Sequence, residues 1–196
     1  RGLDYLLAQM AERDMHAVLY FNTSWEWSGG YGQYLEWAGN GKALLPSVDG
    51  YENYVDHVSR FVKDEKAKEL YYNHVKNIVT RTNTVTGKPY TEDPTIFSWQ
   101  IGNEPRAFAR DSVTKAAFAD WMCTSASLIK SLDPNHMVSS GSEGLYGCEV
   151  DMELFEKIHA HEDFDYLNVH IWPLVWRWVT KDTFADSVCV ANRMTE

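Results

Sequence analysis

The chain has 196 residues, enough for one ordinary domain, and its 44% hydrophobic content can supply a sizeable core. With 18 Lys and Arg against 28 Asp and Glu the net charge is −10, which argues against nucleic acid as a partner and suits a neutral or cationic one. No apolar stretch approaches the ~20 residues needed to span a bilayer.

In chain order, Leu3, Leu6, Leu7, Met10 and Ala11 recur at helical spacing and predict a helix over Gly2–Arg13. The apolar run Ala17–Phe21 reads as a buried strand. It opens into Asn22–Gly50, a Gly- and aromatic-rich stretch read as one long loop, and loops of that length in a compact domain are usually functional or disordered. Tyr51–Val62 and Glu65–Arg81 read as helices, with His74 on the apolar stripe of the second as a core histidine. Thr82–Asp93 is a turn-rich link punctuated by Gly87 and Pro89.

Thr95–Arg106, TIFSWQIGNEPR, is the stretch around which the chain is organised. On a two-residue period Ile96, Ser98, Gln100, Gly102 and Glu104 share one side of a strand, and Phe97, Trp99 and Ile101 share the other. Pro105 biases Glu104 towards extended backbone. A helix follows from about Thr114 to Leu132, with Phe118, Trp121, Met122, Ser125, Leu128, Ile129 and Leu132 inward. His136–Ser140 is a further strand, opening at Gly141-Ser142-Glu143-Gly144. Asp151 caps a helix burying Leu154, Phe155 and Ile158. Phe164–His170 is a fourth strand with Asn168, His170 and Trp172 on one side, and Asp182–Glu196 begins another helix. Strands alternating with helices, without hairpin signals, predict an α/β fold with a parallel sheet and right-handed crossovers.

Eight Trp and 11 Tyr include clusters at Trp25 and Trp27 and at Trp172, Trp176 and Trp178, where loops are expected. Flat aromatic faces there suit the apolar faces of sugar rings; for Trp25 the alternative is packing at a rim. Cys123, Cys148 and Cys189 are widely spaced and read as structural or free thiols. No metal-ligand or cofactor motif is present.

The run W-x-x-x-N-E-P-R at Trp99–Arg106, with FNTSWEWSGG before it and SSGSEG and NVHIWP after it, resembles the retaining glycoside hydrolases of family 5, in particular the endo-β-1,4-mannanases. The resemblance implies a partial TIM (β/α)8 barrel of about four central units, strands three to six. Residues 1–196 would then be an incomplete catalytic domain lacking its N- and C-terminal strands, since a whole barrel needs ~250 residues. It implies Glu104 as the general acid/base, with the nucleophile, a Glu on the seventh strand, outside the chain. Asn103 would bond the sugar 2-OH, and Asn22, Trp25, Arg106, Glu143, His170, Trp172 and Trp176 would border the substrate. Family members carry His-x-Tyr or His-x-Trp here; a Tyr hydroxyl can bond the nucleophile, whereas Trp172 offers only an N–H. The implied partner is β-mannan or a related plant polysaccharide, the implied location extracellular, cell-surface or periplasmic. The alternatives are a β-1,4-glucanase and a carbohydrate-binding remnant without catalysis.

Overall fold

The computed structural model describes residues 1–175, 177–180 and 182. Trp176, Cys189 and, Asp182 apart, the helix expected over 182–196 lie outside the described residues.

Three strands form one parallel sheet in sequence order: β1 (Ala17–Tyr20), β2 (Ile96–Gln100) and β3 (Met137–Ser139). Each has helical segments before it, so the architecture is α/β, as alternating periodicities predict. Helix α1 (Gly2–Ala11) precedes β1. Four helices, α2 (Gly30–Ala38), α3 (Pro46–Asp49), α4 (Tyr51–Val58) and α5 (Glu65–Val79), lie between β1 and β2. Helix α6 (Ser112–Leu132) joins β2 to β3, and α7 (Met152–His159) follows. Aspartates start α5, α6 and α7: Asp64, Asp111 and Asp151 accept from the backbone N–H groups of Ala67, Thr114 and Leu154, satisfying donors that the first turn leaves free.

The helices cover one face of the sheet. Trp99 is fully buried there, stacked on Phe21 at 5.4 Å between ring centroids, with its indole N–H donating to Asp133 at 2.8 Å. Behind it Tyr31, Phe61, Tyr71 and Trp121 interlock, Tyr31 and Phe61 stacked at 4.4 Å. Trp121 is thus a core residue, as its helical stripe predicts, and α5 packs against both α2 and α6.

Four sequence expectations need correction. Asn22–Gly50 is not one loop: it contains α2, which closes on Gly39 in the left-handed region, and the short α3. The parity of β2 changes within the strand. Pairing with β1 is irregular between Ala17 and Val18, which face Ile96 and Ser98, so Phe97 is an extra residue. Ile96 consequently joins Trp99 and Ile101 in the helix-side core, while Phe97 is half-exposed beside Tyr166.

Glu104 is not in extended backbone but at φ 52°, and Phe164–His170 forms no ladder strand. One backbone bond to β3 is kept, from Asp165 N–H to Val138 O at 2.9 Å, and side chains supply the rest: Asp165 accepts from Val138 N–H at 2.6 Å and Asn168 accepts from Gly141 N–H at 3.0 Å. Asn168 also donates to the Ser142 carbonyl at 2.7 Å. The segment keeps two-residue alternation, with Leu167 and Val169 exposed and Asn168 and His170 turned in.

Candidate active site

At the C-terminal end of β2 the backbone is stitched to both neighbours beyond the regular ladder. Asn103 N–H donates to Asn22 O at 2.7 Å, and Glu104 N–H donates to Gly141 O at 3.0 Å. The second contact depends on a glycine: Gly141 has φ 75°, and a Cβ there would lie 1.8 Å from Gly102 O.

Glu104 is one of few non-glycine residues at positive φ, a conformation that costs about 1–3 kcal/mol and survives only where surrounding contacts determine it. Ser24 supplies such a contact. Its buried hydroxyl donates to Glu104 O at 2.5 Å, and Tyr54 donates in turn to Ser24 O at 2.7 Å. Together with the bond to Gly141, this clamp overrides the preference imposed by Pro105.

The Glu104 side chain enters a cleft of about 520 Å³ lined by Trp25, Trp27, Asn103, Glu104, Arg106, Glu143, His170, Trp172 and Val175. Glu104 is 8% exposed. Its Oε1 lies 2.7 Å from His170 Nδ1 and accepts from the Trp172 indole N–H at 3.2 Å. Glu143, the other carboxylate in the cleft, is bound by Arg106, whose Nε donates to it at 2.9 Å and whose Nη2 makes a second bond. Burial works against the Arg106 charge, yet the Glu143 carboxylate leaves the guanidinium held more firmly protonated than usual.

Trp25 is flanked rather than open. It lies parallel to Tyr54 at 6.1 Å and near-parallel to Trp27 at 5.8 Å, with the Arg106 guanidinium 5.6 Å from its ring centre. The ring in this corner with a free surface is Trp27, 69% exposed. Sequence reading counted Trp27 among the clustered indoles without assigning it a contact; its place two residues from Trp25 was the available signal. Ser24 and Val175 were given no role: Ser24 lies inside the FNTSWEWSGG stretch, but its contact with Glu104 joins residues 80 positions apart, and nothing local marks Val175.

Asn22 is placed apart from this cleft, in a neighbouring cavity of about 320 Å³ with Tyr20, Tyr34, Trp37 and His74. Its amide is buried without a hydrogen-bond partner among the described residues. His74 packs edge-on to Phe21, and burial lowers its pKa, in keeping with a core histidine.

Over residues 1–196 the chain matches the family described as GH family 5 beta-mannosidase-like. It is 32% identical to mannan endo-1,4-beta-mannosidase 1 of Arabidopsis thaliana over 95% of its own length and 46% of that protein's. Among solved structures, a glycoside hydrolase family 5 mannosidase from Rhizomucor miehei superposes with a TM-score of 0.78 at 36% identity, over 91% of this chain and 41% of that one. An endo-1,4-beta-mannanase from the same organism superposes with a TM-score of 0.75 at 26% identity, over 93% of this chain and 51% of that one. The chain therefore spans less than half the length of the Arabidopsis relative, and it belongs to the beta-mannosidase-like family of glycoside hydrolase family 5.

Proposed function

We propose that these residues form the acid/base half of a retaining β-1,4-mannanase active site, the chain's three strands being a central part of a (β/α)8 barrel. The observation that carries the reading is the Glu104 carboxyl, poised at a strand's C-terminal end in an indole-lined cleft and contacted by two ring nitrogens. The relatives' common description as mannan endo-mannosidases supports β-mannan, galactomannan or glucomannan as substrate. A Rhizomucor neighbour's complex with mannosyl-fructose supports a mannosyl unit in the cleft.

Retaining hydrolysis needs two carboxyl groups about 5–5.5 Å apart. Glu104 in its acid form delivers a proton to the glycosidic oxygen as the C1–O bond breaks with its electron pair on that oxygen. A second carboxylate, the seventh-strand Glu that the family resemblance implies, forms the covalent bond to C1. In the second step Glu104, now a carboxylate, takes a proton from the water that attacks C1 and frees that partner. Glu143 is unsuited to the partner role because Arg106 holds it, and its pair with Arg106 serves instead as a polar floor for sugar hydroxyls. Asn103 is placed to meet the 2-OH, and Trp27 and Trp172 offer ring faces. A polymeric substrate implies action outside the cell or in the periplasm.

The test uses a chain extended to the length of its relatives. Glu104→Gln keeps the side-chain shape and removes the transferable proton, so mannan cleavage should fall by orders of magnitude while oligosaccharide binding persists. Activated aryl glycosides, which need little protonation, should lose far less in their first step. Cellulose cleaved in preference to mannan would favour a β-1,4-glucanase, and binding without turnover in the extended wild-type chain would favour a carbohydrate-binding remnant. The 196 residues alone are expected to release no reducing ends, because among the described residues lining the cleft the one carboxylate besides Glu104 is Glu143, which Arg106 holds.

A further inference from the structure

His170 Nδ1 and Trp172 Nε1 converge on one atom, Oε1 of Glu104, and Oε2 takes no hydrogen bond among the described residues. The two nitrogens carry different information. A histidine nitrogen donates or accepts according to its tautomer, so the 2.7 Å contact alone is compatible with two arrangements of the protonated acid. Either the proton sits on Oε1 and is donated to His170, or it sits on Oε2 and His170 donates to Oε1. An indole nitrogen can only donate. Oε1 must therefore accept from Trp172. In a protonated carboxyl group the carbonyl-type oxygen is the good acceptor and the hydroxyl oxygen the poor one.

We infer that Trp172 is a positioning residue for Glu104: its N–H makes Oε1 the acceptor oxygen, holds His170 as the Nδ1–H donor, and leaves Oε2 as the atom that carries the proton to the glycosidic oxygen. The inference rests on the reading of Glu104 as acid/base. It also accounts for a tryptophan where a tyrosine would be less decisive, because a phenol both donates and accepts and would not fix the polarity of the pair. When the proton has left Oε2, both N–H groups continue to donate to the carboxylate, now as charge-assisted bonds, so the base required for the second step forms without rearrangement.

Two measurements test this. In the 196-residue chain, long-range 1H–15N spectra should show His170 carrying a proton on Nδ1; a ring protonated on Nε2 alone overturns the inference. In the extended chain, Trp172→Phe keeps an aromatic face and removes the N–H. Its kcat on mannan should fall about tenfold, the scale of one hydrogen bond to an ionisable group, with KM changed less than about twofold. An aryl mannoside whose leaving group needs no proton should retain most of its first-step rate. Equal losses on both substrates, or a rise in KM alone, would leave Trp172 a sugar contact only and overturn its positioning role. Glu104→Gln in parallel separates the two readings: normal mannan cleavage by that variant would remove the acid/base assignment itself, whereas an inactive Glu104→Gln beside a fully active Trp172→Phe would remove only the role of Trp172.

Discussion

The two faces of the β-sheet have opposite characters. On the helix side Ile96, Trp99, Ile101 and Val138 are closed off from solvent and the polar groups among them are paired. On the other side Val18, Tyr20 and Phe97 are about half-exposed, although valine and aromatic residues are as apolar as any in the core. This chain's fold is thus carried by one face, while its candidate chemistry sits at the rim of the other, held by backbone bonds and side-chain clamps. A helix-covered sheet face can position a carboxyl group without itself being near the reaction.

The largest effect that would sharpen this contrast is expected from Trp99→Ala. It removes a fully buried indole and strips Asp133 of a donor, so chemical denaturation should show a loss of about 3–5 kcal/mol. A loss below about 1 kcal/mol would mean that the helix side does not dominate stability.

Next comes the buried Asp4, which ties α1 to the link before β2. Arg81 holds it through two bonds of 2.8 Å, and Thr84 and Tyr90 donate to it at 2.6 Å. The Arg81 guanidinium, outweighing burial, holds the Asp4 carboxyl far below its ordinary value of 3.8. A depressed folded-state pKa means that its contribution is fully present above that ordinary value and is lost as pH falls below it. Asp4→Asn should therefore be clearly less stable than wild type at pH 7, with the gap narrowing in acid below about pH 4. A gap independent of pH would place the effect in packing.

His136 gives a smaller effect of opposite sign. Its Nδ1 lies 2.7 Å from Asp133 and its Nε2 3.0 Å from the Asp93 carbonyl, an arrangement that satisfies both nitrogens as donors in the charged ring. The Asp133 carboxylate raises its pKa above 6.5. That contribution is present below pH 6.5 and lost as pH rises through the raised value. His136→Gln should cost about 1 kcal/mol at pH 6 and less at pH 9; an equal cost at both would show that the ring is neutral throughout. The smallest effect is expected from Phe97→Ser on the open face, within about 0.5 kcal/mol. A loss comparable to that of Trp99→Ala would break the comparison.

Much of this was legible in the sequence because it is local. Helical stripes placed α5, α6 and α7, Asp151 marked the start of α7, and apolar runs placed the three strands. What escaped depends on distant partners. The extra residue at Phe97 exists only in its pairing with β1, some 80 positions earlier, so a single strand read alone has the wrong parity below Ser98. Helix α2 begins with Gly30 and includes Gly32, poor helix formers whose helix is stabilised by burial of Tyr31, Tyr34 and Leu35. Pro105 correctly predicts a local preference, and Ser24 and Gly141 overrule it from elsewhere in the chain. At the candidate site, Asn103, Glu104, Arg106, Glu143, His170 and Trp172 were readable as motif residues, but which of them touch was not. That Glu143 is engaged by Arg106, and that two rings share one oxygen of Glu104, are facts of three-dimensional closure.

The order of the ladder has a consequence for how the chain acquires its structure. Pairing β1 with β2 joins Ala17 to Ile96, a separation of 79 positions, whereas pairing β2 with β3 joins Ser98 to Met137, a separation of 39. Doubling a closed loop costs about 0.6 kcal/mol of chain entropy, so the C-terminal pair has the lower entropic barrier and α6 lies wholly within it. During folding β2 and β3 should dock first, with α6 between them. Ser24, which arrives with β1, would then be among the last groups to close on Glu104, making the strained backbone of the candidate acid a late event on the folding pathway.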